Sequence, residues 1–310
     1  MSEFKHGLKD TFIDRLTEEA NKSSWWADVL NDPQLFVAVR NQYLNVYWRG
    51  QSLFKVALGR SGLKATMHPK FLIDPGVHDE VTLINRKFEV DKLVEGGIIR
   101  EYKGPETLEK MKRAAGLFYG PEDSGCHDII LHNPHVIDRE IGFSDTVTAP
   151  GGGSNKETNL IDLLTLESDG DAVRLVFWEA KHFSNAELRP LGSTVPVCEQ
   201  IKDYRKCISR HRNEIEACYK RVAQNLVAFH KMGWNRRLSP LVKEVAEGRP
   251  LTLGRDDEEA KVGLVIFGFT SMQRDADNWQ RHLAQLESEI KYVLARGKPK
   301  DIQLNLCVCD

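Results

Sequence analysis

Short runs of apolar residues alternate with polar breaks between residues 34 and 73. The runs are rich in β-branched and aromatic residues, and the breaks contain Arg, Asn, Gln and Gly. The apolar runs span residues 35–39, 43–48, 52–56 and 63–67. Because each run has the length of one strand and each break is short enough for a tight turn, the pattern predicts an antiparallel β-meander.

The segments on either side of this meander show helical spacing. Residues 5–21 carry apolar residues every four positions with charged residues between them, which predicts an amphipathic helix. Residues 77–142 favour helices separated by glycine- and proline-containing breaks. The last of these helices is expected to end within the segment from Pro134 to Ile141.

The second half of the chain alternates apolar runs with helical segments. Buried strands are predicted at residues 159–166, 173–180 and 262–269, and a last strand at 302–308. Helices are predicted at residues 196–211, 212–231 and 275–296. This mixture predicts the α/β class in its α+β form, with the meander and a helical elaboration preceding the second half.

Composition restricts the cellular setting. No apolar run reaches the length of a membrane-spanning helix, and the N-terminus lacks the apolar segment of a secretory signal. Six cysteines without a CxxC pair favour free thiols in a reducing compartment. We therefore expect a cytoplasmic protein with no membrane partner. The net charge of −2 gives no overall sign of nucleic-acid binding, although basic side chains can still concentrate on one face.

One apolar segment contains carboxylates in unexpected places. Asp162 stands in the middle of a predicted strand, and the next strand ends in Glu179-Ala180-Lys181. A buried carboxylate is costly unless it is paired or binds a metal. Because side chains alternate along a strand, Glu179 and Lys181 project to one face. If the two strands form a hairpin, Asp162 lies across from them.

This set of groups fits phosphodiester hydrolysis. Mg²⁺ prefers oxygen ligands, and the carboxylates of Asp162 and Glu179 with the carbonyl of Ala180 make a partial shell for Mg²⁺ or Mn²⁺. Such a cation polarises a phosphoryl oxygen and activates a water. The nearby Lys181 can hold that water or stabilise charge on the pentavalent phosphorus.

The segment resembles the PD-(D/E)xK nuclease superfamily, whose core is an αβββαβ unit. The resemblance covers roughly residues 134–270 and rests on Asp162 and the Glu-Ala-Lys triplet, while the proline of the family's name is missing. It implies a restriction-endonuclease-like nuclease domain over residues 121–310. Residues 1–120 then form an N-terminal region of unknown role, with the helix, the meander and a helical part.

Two further matches extend the resemblance. Gln200 and Tyr204 are four residues apart and share a helical face, like the QxxxY motif of the RecB-like branch. In that branch the helix lies beside the active site and contacts DNA, which implies an active-site role for both residues. Upstream, Glu140 resembles the first-helix glutamate of the family, a further metal ligand, and Asp138 is the alternative for that role.

The stretch after these motifs is basic. Lys202, Arg205, Lys206, Arg210, Arg212, Lys220, Arg221, Arg236, Arg237 and Lys243 lie in it, and His182 and Arg189 come just after the Glu-Ala-Lys triplet. These side chains are candidates for phosphate contacts. The alternative is that they form an ordinary solvated face.

Each site residue also has a purely structural interpretation. Asp162 can cap a turn at a strand end, Glu179 and Lys181 can form a solvated strand end, and Gln200 and Tyr204 can be packing residues. The order of these residues along one chain favours the functional interpretation.

The resemblance implies a metal-dependent nuclease, and DNA is the favoured substrate because most relatives of this core cut DNA. Phage defence, restriction and repair are the settings it implies. Three alternatives stay open: a catalytically silent nuclease-like module that binds nucleic acid, an RNase, and a subunit that needs a separate helicase or ATPase chain. A homo-oligomer is compatible with each of them.

Overall fold

The structure of the chain is a computed structural model. It describes residues 4–74, 83–84, 87–88, 97–143, 160–192, 194–255 and 259–304. Two helices come first, α1 (Asp10–Ala20) and α2 (Trp25–Asn31). The helix predicted over residues 5–21 is therefore confirmed in its central part, and it buries Phe12 and Leu16.

The predicted meander is confirmed. It consists of β1 (Phe36–Val39), β2 (Tyr43–Trp48), β3 (Gln51–Gly59) and β4 (Gly62–Thr66), which pair antiparallel in chain order. Arg49 and Gly50 form the turn between β2 and β3, and both have positive φ angles (44° and 82°). Two positive φ angles match the right-handed twist of a hairpin. A Cβ on Gly50 would also meet Asp123 at 2.5 Å, so this turn packs tightly against the later helix Pro121–His132.

Residues 77–142, predicted to be mostly helical, contain both helices and strands where they are described, and residues 77–82, 85–86 and 89–96 lie outside the described residues. A short ladder joins β5 (Leu83–Ile84) and β6 (Lys87–Phe88), and α3 (Pro105–Ala115) and α4 (Pro121–His132) follow. The prediction of a helix ending within 134–141 is wrong, because this segment is β7 (Val136–Gly142). Helix α4 ends at His132 because Pro134 disfavours helical geometry at Asn133, whose φ and ψ are −120° and 95°.

The second half is built on a mixed sheet. Its central strands are β8 (Leu160–Asp169) and β9 (Ala172–His182), which form an antiparallel hairpin with Leu163 opposite Trp178. The sheet has the order β12 (Val293–Ala295), β11 (Val262–Phe267), β9, β8 and β7, with the short β10 (Leu251–Thr252) beside β9. Strand β7 pairs antiparallel with β8, whereas β11 pairs parallel with β9. The strand predicted at 173–180 is confirmed, that at 159–166 is confirmed from Leu160 onward, and that at 262–269 is confirmed as far as Phe267.

Helices connect β9 to β11. They are α5 (Pro196–Arg210), α6 (Arg212–Lys231) and α7 (Pro240–Ala246), so the helices predicted at 196–211 and 212–231 are confirmed. Helix α4, strands β7, β8 and β9, and helix α5 therefore follow one another, and α6, α7 and β10 come before β11.

The C-terminal part differs from its prediction. The helix expected over 275–296 is divided into the single turn α8 (Ser271–Arg274), the helix α9 (Asp277–Glu289) and strand β12. Strand β12 forms because Val293 pairs with Leu264 of the central sheet. Of the last strand predicted at 302–308, residues 302–304 are irregular and the rest lies outside the described residues.

Both faces of the mixed sheet are covered. One face packs against α5 and α6 in a hydrophobic cluster that also contains residues of the meander, α1 and α2. The other face packs against α4 and β1. Both clusters contain residues from before and after residue 120, so the described parts of 1–120 and 121–310 pack against each other. None of the helices in the described ranges has both the length and the apolar character needed to cross a lipid bilayer.

A buried polar network also joins the two parts. Arg40, at the end of β1, donates to Asp138 of β7 at 2.5 Å. Tyr219 of α6 donates to the other oxygen of the same carboxylate at 2.8 Å. Because Asp138 is fully buried, these two donors compensate for the loss of water around its charge.

Candidate active site

Asp162 is held in place by the backbone of the neighbouring strand. It is the third residue of β8, and its Oδ2 accepts a hydrogen bond from the Ala180 N–H at 2.8 Å. The hairpin of β8 and β9 places the Asp162 side chain beside the backbone of β9, as predicted from the sequence. Burial is the main factor that raises the pKa of Asp162 to about 6, while the Ala180 N–H and the Lys181 ammonium group act in the opposite direction.

Glu179 is a buried carboxylate with one oxygen paired and one unpaired. Its side chain is 2% exposed, and Oε1 lies 2.8 Å from Nζ of Lys181. Its Oε2 is buried and accepts no hydrogen bond of normal geometry within the described part of the chain, because the nearby Tyr204 hydroxyl donates to Leu160 instead. Burial, followed by the negative charge of Asp162, raises the pKa of Glu179 well above its usual range. The two carboxylates therefore lie close enough to influence each other.

Lys181 joins this pair to a third carboxylate. Its Nζ lies 2.5 Å from Oε2 of Glu187, which belongs to the single 3-10 turn Ala186–Leu188 after β9. Burial alone lowers the pKa of Lys181, but the Glu179 and Glu187 carboxylates outweigh burial and raise it above its usual range. Lys181 is therefore a permanent cation beside Glu179. Glu187 could not be predicted from the sequence, because its contact with Lys181 depends on the turn after the strand.

Gln200 and Tyr204 lie on α5 next to these groups, as predicted. Gln200 Nε2 donates to the Tyr204 hydroxyl at 2.6 Å, and this hydroxyl donates to the Leu160 carbonyl at 2.7 Å. Burial, with the nearby charges of Glu179 and Asp162, raises the pKa of Tyr204. The motif therefore ties α5 to the first residue of β8, two positions before Asp162.

Glu122 is a site residue that the sequence analysis missed. It lies in the first turn of α4, and its Oε2 accepts from the His182 N–H at 2.9 Å and from Asn185 Nδ2 at 2.8 Å. After burial, which is the larger factor, the charge of Glu122 contributes to the raised pKa of Asp162. Pro121 marks the start of this helix in the sequence, so a helix-start analysis would have placed Glu122 in its first turn.

Glu140 and Asp138 do not lie on a helix, so their prediction as a first-helix carboxylate is wrong in that respect. Both are on β7, and the first helix of the unit is α4. Glu140 has a positive φ of 51°, and its Oε1 accepts from Arg139 at 2.8 Å. Because Arg139 pairs with Leu163 in register, Glu140 stands close to the level of Asp162. A metal-binding role for Glu140 stays a prediction, whereas Asp138 is engaged in the buried network.

Part of the basic stretch is paired within the protein. Lys202 lies 2.8 Å from Glu199, and Lys206 lies 2.8 Å from Asp203. Arg236 is 9% exposed and donates to backbone carbonyls that include that of Ile130. The expectation of a phosphate contact is therefore wrong for Arg236. The exposed pairs reduce the positive charge that α5 presents to an anion.

The chemistry of the donors fits a hard cation. Within the described ranges, no three His, Cys, Asp or Glu side chains already form a metal-binding cluster. The available donors are Asp162, the unpaired Oε2 of Glu179 and the Ala180 carbonyl. In an extended strand the N–H and C=O of one residue point to the same edge, so this carbonyl faces the side on which Asp162 lies. Oxygen donors with two carboxylates suit Mg²⁺ or Mn²⁺.

The chain matches no protein-family model, no curated protein and no solved structure.

Proposed function

We propose that the protein is a metal-dependent nuclease with a restriction-endonuclease-like core of the PD-(D/E)xK type, and that DNA is its substrate. The observation that carries the proposal is the arrangement of Asp162, Glu179 and Lys181. The backbone of Ala180 fixes Asp162, and the adjacent Glu179–Lys181 pair is buried with one carboxylate oxygen left unpaired.

The energetics favour a functional interpretation of these charges. A buried ion pair is often no more stabilising than well-packed apolar residues, because desolvation offsets the attraction between the charges. An unpaired buried carboxylate oxygen adds a further cost. Strongly perturbed carboxylates next to a specific charge partner are concentrated at functional sites. If Asp162 and Glu179 had only a structural role, the free-energy cost of burying them would bring no advantage to the protein.

Each residue has a role in the proposed reaction. Asp162, Glu179 and the Ala180 carbonyl would hold Mg²⁺ or Mn²⁺, and Glu122 or Glu140 would supply a further carboxylate. The chemistry that such a cation contributes is polarisation of a phosphoryl oxygen and activation of a water. Lys181 keeps its proton and donates hydrogen bonds to the negative charge that develops at the phosphorus.

The QxxxY pair acts by positioning. Gln200 donates to Tyr204, and Tyr204 donates to the Leu160 carbonyl, so both residues fix the start of β8 against α5. The position of Asp162 depends on that contact because it lies two residues further along the strand. The choice of DNA rests on the analogy with the superfamily.

A cleavage assay with a substrate panel tests the proposal. Linear and circular duplex DNA, single-stranded DNA and RNA are incubated with Mg²⁺, Mn²⁺ or EDTA, with wild type beside Asp162→Asn and Lys181→Met. The matched control is Asp169→Asn at the far end of β8, where the carboxylate pairs with Arg174. We expect metal-dependent cleavage of DNA by wild type and the control, and at least a hundredfold loss in both site variants.

Three results would contradict the proposal in different ways. Wild type that cleaves nothing but binds DNA points to a silent binding module. Cleavage restricted to RNA keeps the site but changes the substrate. Site variants that are folded and as active as wild type place the active site elsewhere.

A further inference from the structure

A cavity of about 450 Å³ lies between the N-terminal segment, strand β2 and the start of β8. Tyr43, Asn45 and Tyr47 of β2 line one side, and Leu160 lines the end nearest to the candidate active site. This volume falls within the range of small-molecule binding pockets. The meander, which had no assigned role, therefore contributes directly to a pocket of the mixed sheet.

Stacked rings form another wall of the cavity. The Phe4 ring stacks on His6, with centroids 4.5 Å apart and an interplanar angle of 14°. It also contacts Phe143 at 5.4 Å and 29°, and Phe143 lies 6.2 Å from His211 at 24°. All four rings line the cavity. The wall therefore has the flat, aromatic character that binds planar ligands.

Polar groups without partners are available at this wall. The His6 side chain is only 7% exposed, yet neither of its ring nitrogens makes a hydrogen bond within the described residues. The nearest carboxylate, that of Asp138, is 3.6 Å from Nε2. Across the cavity, the half-buried Asn45 donates through Nδ2 to the Tyr47 hydroxyl at 3.1 Å. Buried polar atoms such as the His6 ring nitrogens are normally satisfied, so they indicate a ligand with a polar edge.

The cavity is next to the candidate active site. Leu160, which lines it, comes two residues before Asp162 on β8, a separation of about 6.7 Å along a strand. Glu140, which also lines it, is close to the level of Asp162 across the sheet. This distance is close to the spacing between neighbouring nucleotides in an extended single-stranded nucleic acid.

We propose that this cavity binds an unpaired nucleobase of the nucleotide next to the scissile phosphate. The proposal rests on the proposed nuclease function. Aromatic stacking and hydrogen bonds to the base edge are the means by which proteins hold unstacked bases. A base inside a duplex cannot enter such a cavity unless it is flipped out. The substrate class is therefore single-stranded nucleic acid, or duplex with a base that leaves the stack.

The test uses substrates that lack a single base. A series of single-stranded oligonucleotides carries one abasic site at successive positions, and kcat/KM for cleavage is measured with Mn²⁺ for each. We expect the abasic site to lower kcat/KM about tenfold or more at one position next to the cut and to have little effect elsewhere. A parallel duplex series shows whether a flipped base is used in the same way.

Two pocket variants and a control connect this effect to the cavity. Asn45→Trp fills the cavity, so kcat/KM for the intact substrate should fall about tenfold and the abasic position should lose its effect. His6→Phe keeps the ring stack but removes the two nitrogens, so it should change which base is preferred at that position. Lys64→Trp adds the same bulk at an exposed position of β4 and should behave like wild type.

The outcomes separate the two proposals. If wild type cleaves every abasic substrate equally well, the base-binding inference is overturned while the nuclease proposal stands. The same conclusion follows if Asn45→Trp keeps the wild-type dependence on the abasic position and His6→Phe keeps the wild-type base preference there. If wild type cleaves no nucleic acid, the nuclease proposal itself fails and this inference fails with it.

Discussion

The backbone N–H of His182 donates a 2.9 Å hydrogen bond to the carboxylate of Glu122. This contact joins the first turn of α4 to the end of β9, directly after Lys181. It places a carboxylate from a distant part of the chain beside Asp162. The candidate site therefore combines α4, β8, β9 and α5, although the recognisable motifs lie only on the last three.

The first prediction concerns Glu122. If it orients the site or binds the metal, Glu122→Gln should lower the cleavage rate about 10–100-fold and raise the metal concentration needed for half-maximal activity. Glu140→Gln is assayed beside it, because Glu140 is the other candidate for the additional carboxylate. Glu106→Gln, in the first turn of α3, is the matched control.

The comparison decides between the two carboxylates. A larger effect at Glu122 assigns it as the additional carboxylate of the site, whereas a larger effect at Glu140 supports the original sequence prediction. Equal and negligible effects at both positions would show that neither residue contributes.

The second prediction concerns metal binding without catalysis. A ligand that binds only the folded state stabilises it by about 2.7 kcal/mol at a hundred times its Kd. Mn²⁺ should therefore raise the Tm of wild type by a few degrees, as followed by circular dichroism with EDTA as the reference. Asp162→Asn should lose most of this rise, because it removes a charged oxygen donor. An equal rise in both proteins would show that Mn²⁺ binds elsewhere.

The third prediction concerns the buried ion pair of Glu179 and Lys181. Lys181→Met leaves the Glu179 carboxylate buried without its cation, which should lower the free energy of unfolding by about 3 kcal/mol at pH 7. Urea denaturation of wild type and variant at pH 7 measures this loss.

The double variant Glu179→Gln with Lys181→Met is the control for this pair. It removes both charges, so it should recover part of the lost stability. A double variant less stable than either single variant would contradict the account of an uncompensated buried charge.

The fourth prediction concerns acid stability. Burial, followed by the charge of Arg139, lowers the pKa of His127 to about 3, and its Nε2 contacts the Gln34 carbonyl at 2.8 Å. As the pH falls below 6.5, the unfolded state binds a proton that the folded state excludes. The free energy of unfolding should therefore decrease by about 1.4 kcal/mol per pH unit for this histidine.

Denaturation curves between pH 7.5 and pH 5 test this contribution. His127→Gln should reduce the slope by the contribution of this one histidine, while His6 and His135, whose pKa values burial also lowers, keep theirs. His230→Gln, at an exposed position of α6, should leave the dependence unchanged. An identical slope in wild type and His127→Gln would contradict the assignment.

The fifth prediction separates Asp138 from the active site. Asp138→Asn leaves Arg40 buried without its anion, so it should lower the free energy of unfolding by about 3 kcal/mol. It should not alter the rise in Tm with Mn²⁺, because its carboxylate is occupied by Arg40 and Tyr219. Loss of that rise in a folded variant would restore Asp138 as a candidate ligand.

Local sequence determined much of this protein. The short apolar runs between residues 34 and 73 specified the meander, because alternation and turn residues act within a few positions. The apolar strand around Asp162 and the strand ending in Glu179-Ala180-Lys181 specified a hairpin, and strand alternation then placed Glu179 and Lys181 on one face. The four-residue spacing of Gln200 and Tyr204 likewise specified a shared helical face.

Tertiary structure decided the remainder. The segment that forms β7 is apolar enough for a helix or a strand, and pairing with β8 selected the strand because backbone hydrogen bonds of a sheet need a distant partner. The same reason applies to β12. Its residues fit a helical pattern, but they form a strand because Val293 pairs with Leu264 of β11. Glu122, Glu187 and the cavity beside β2 depend on contacts between residues far apart in the chain. Hydrophobic periodicity shows which face of a single helix or strand is apolar, but it does not show which other element packs against that face.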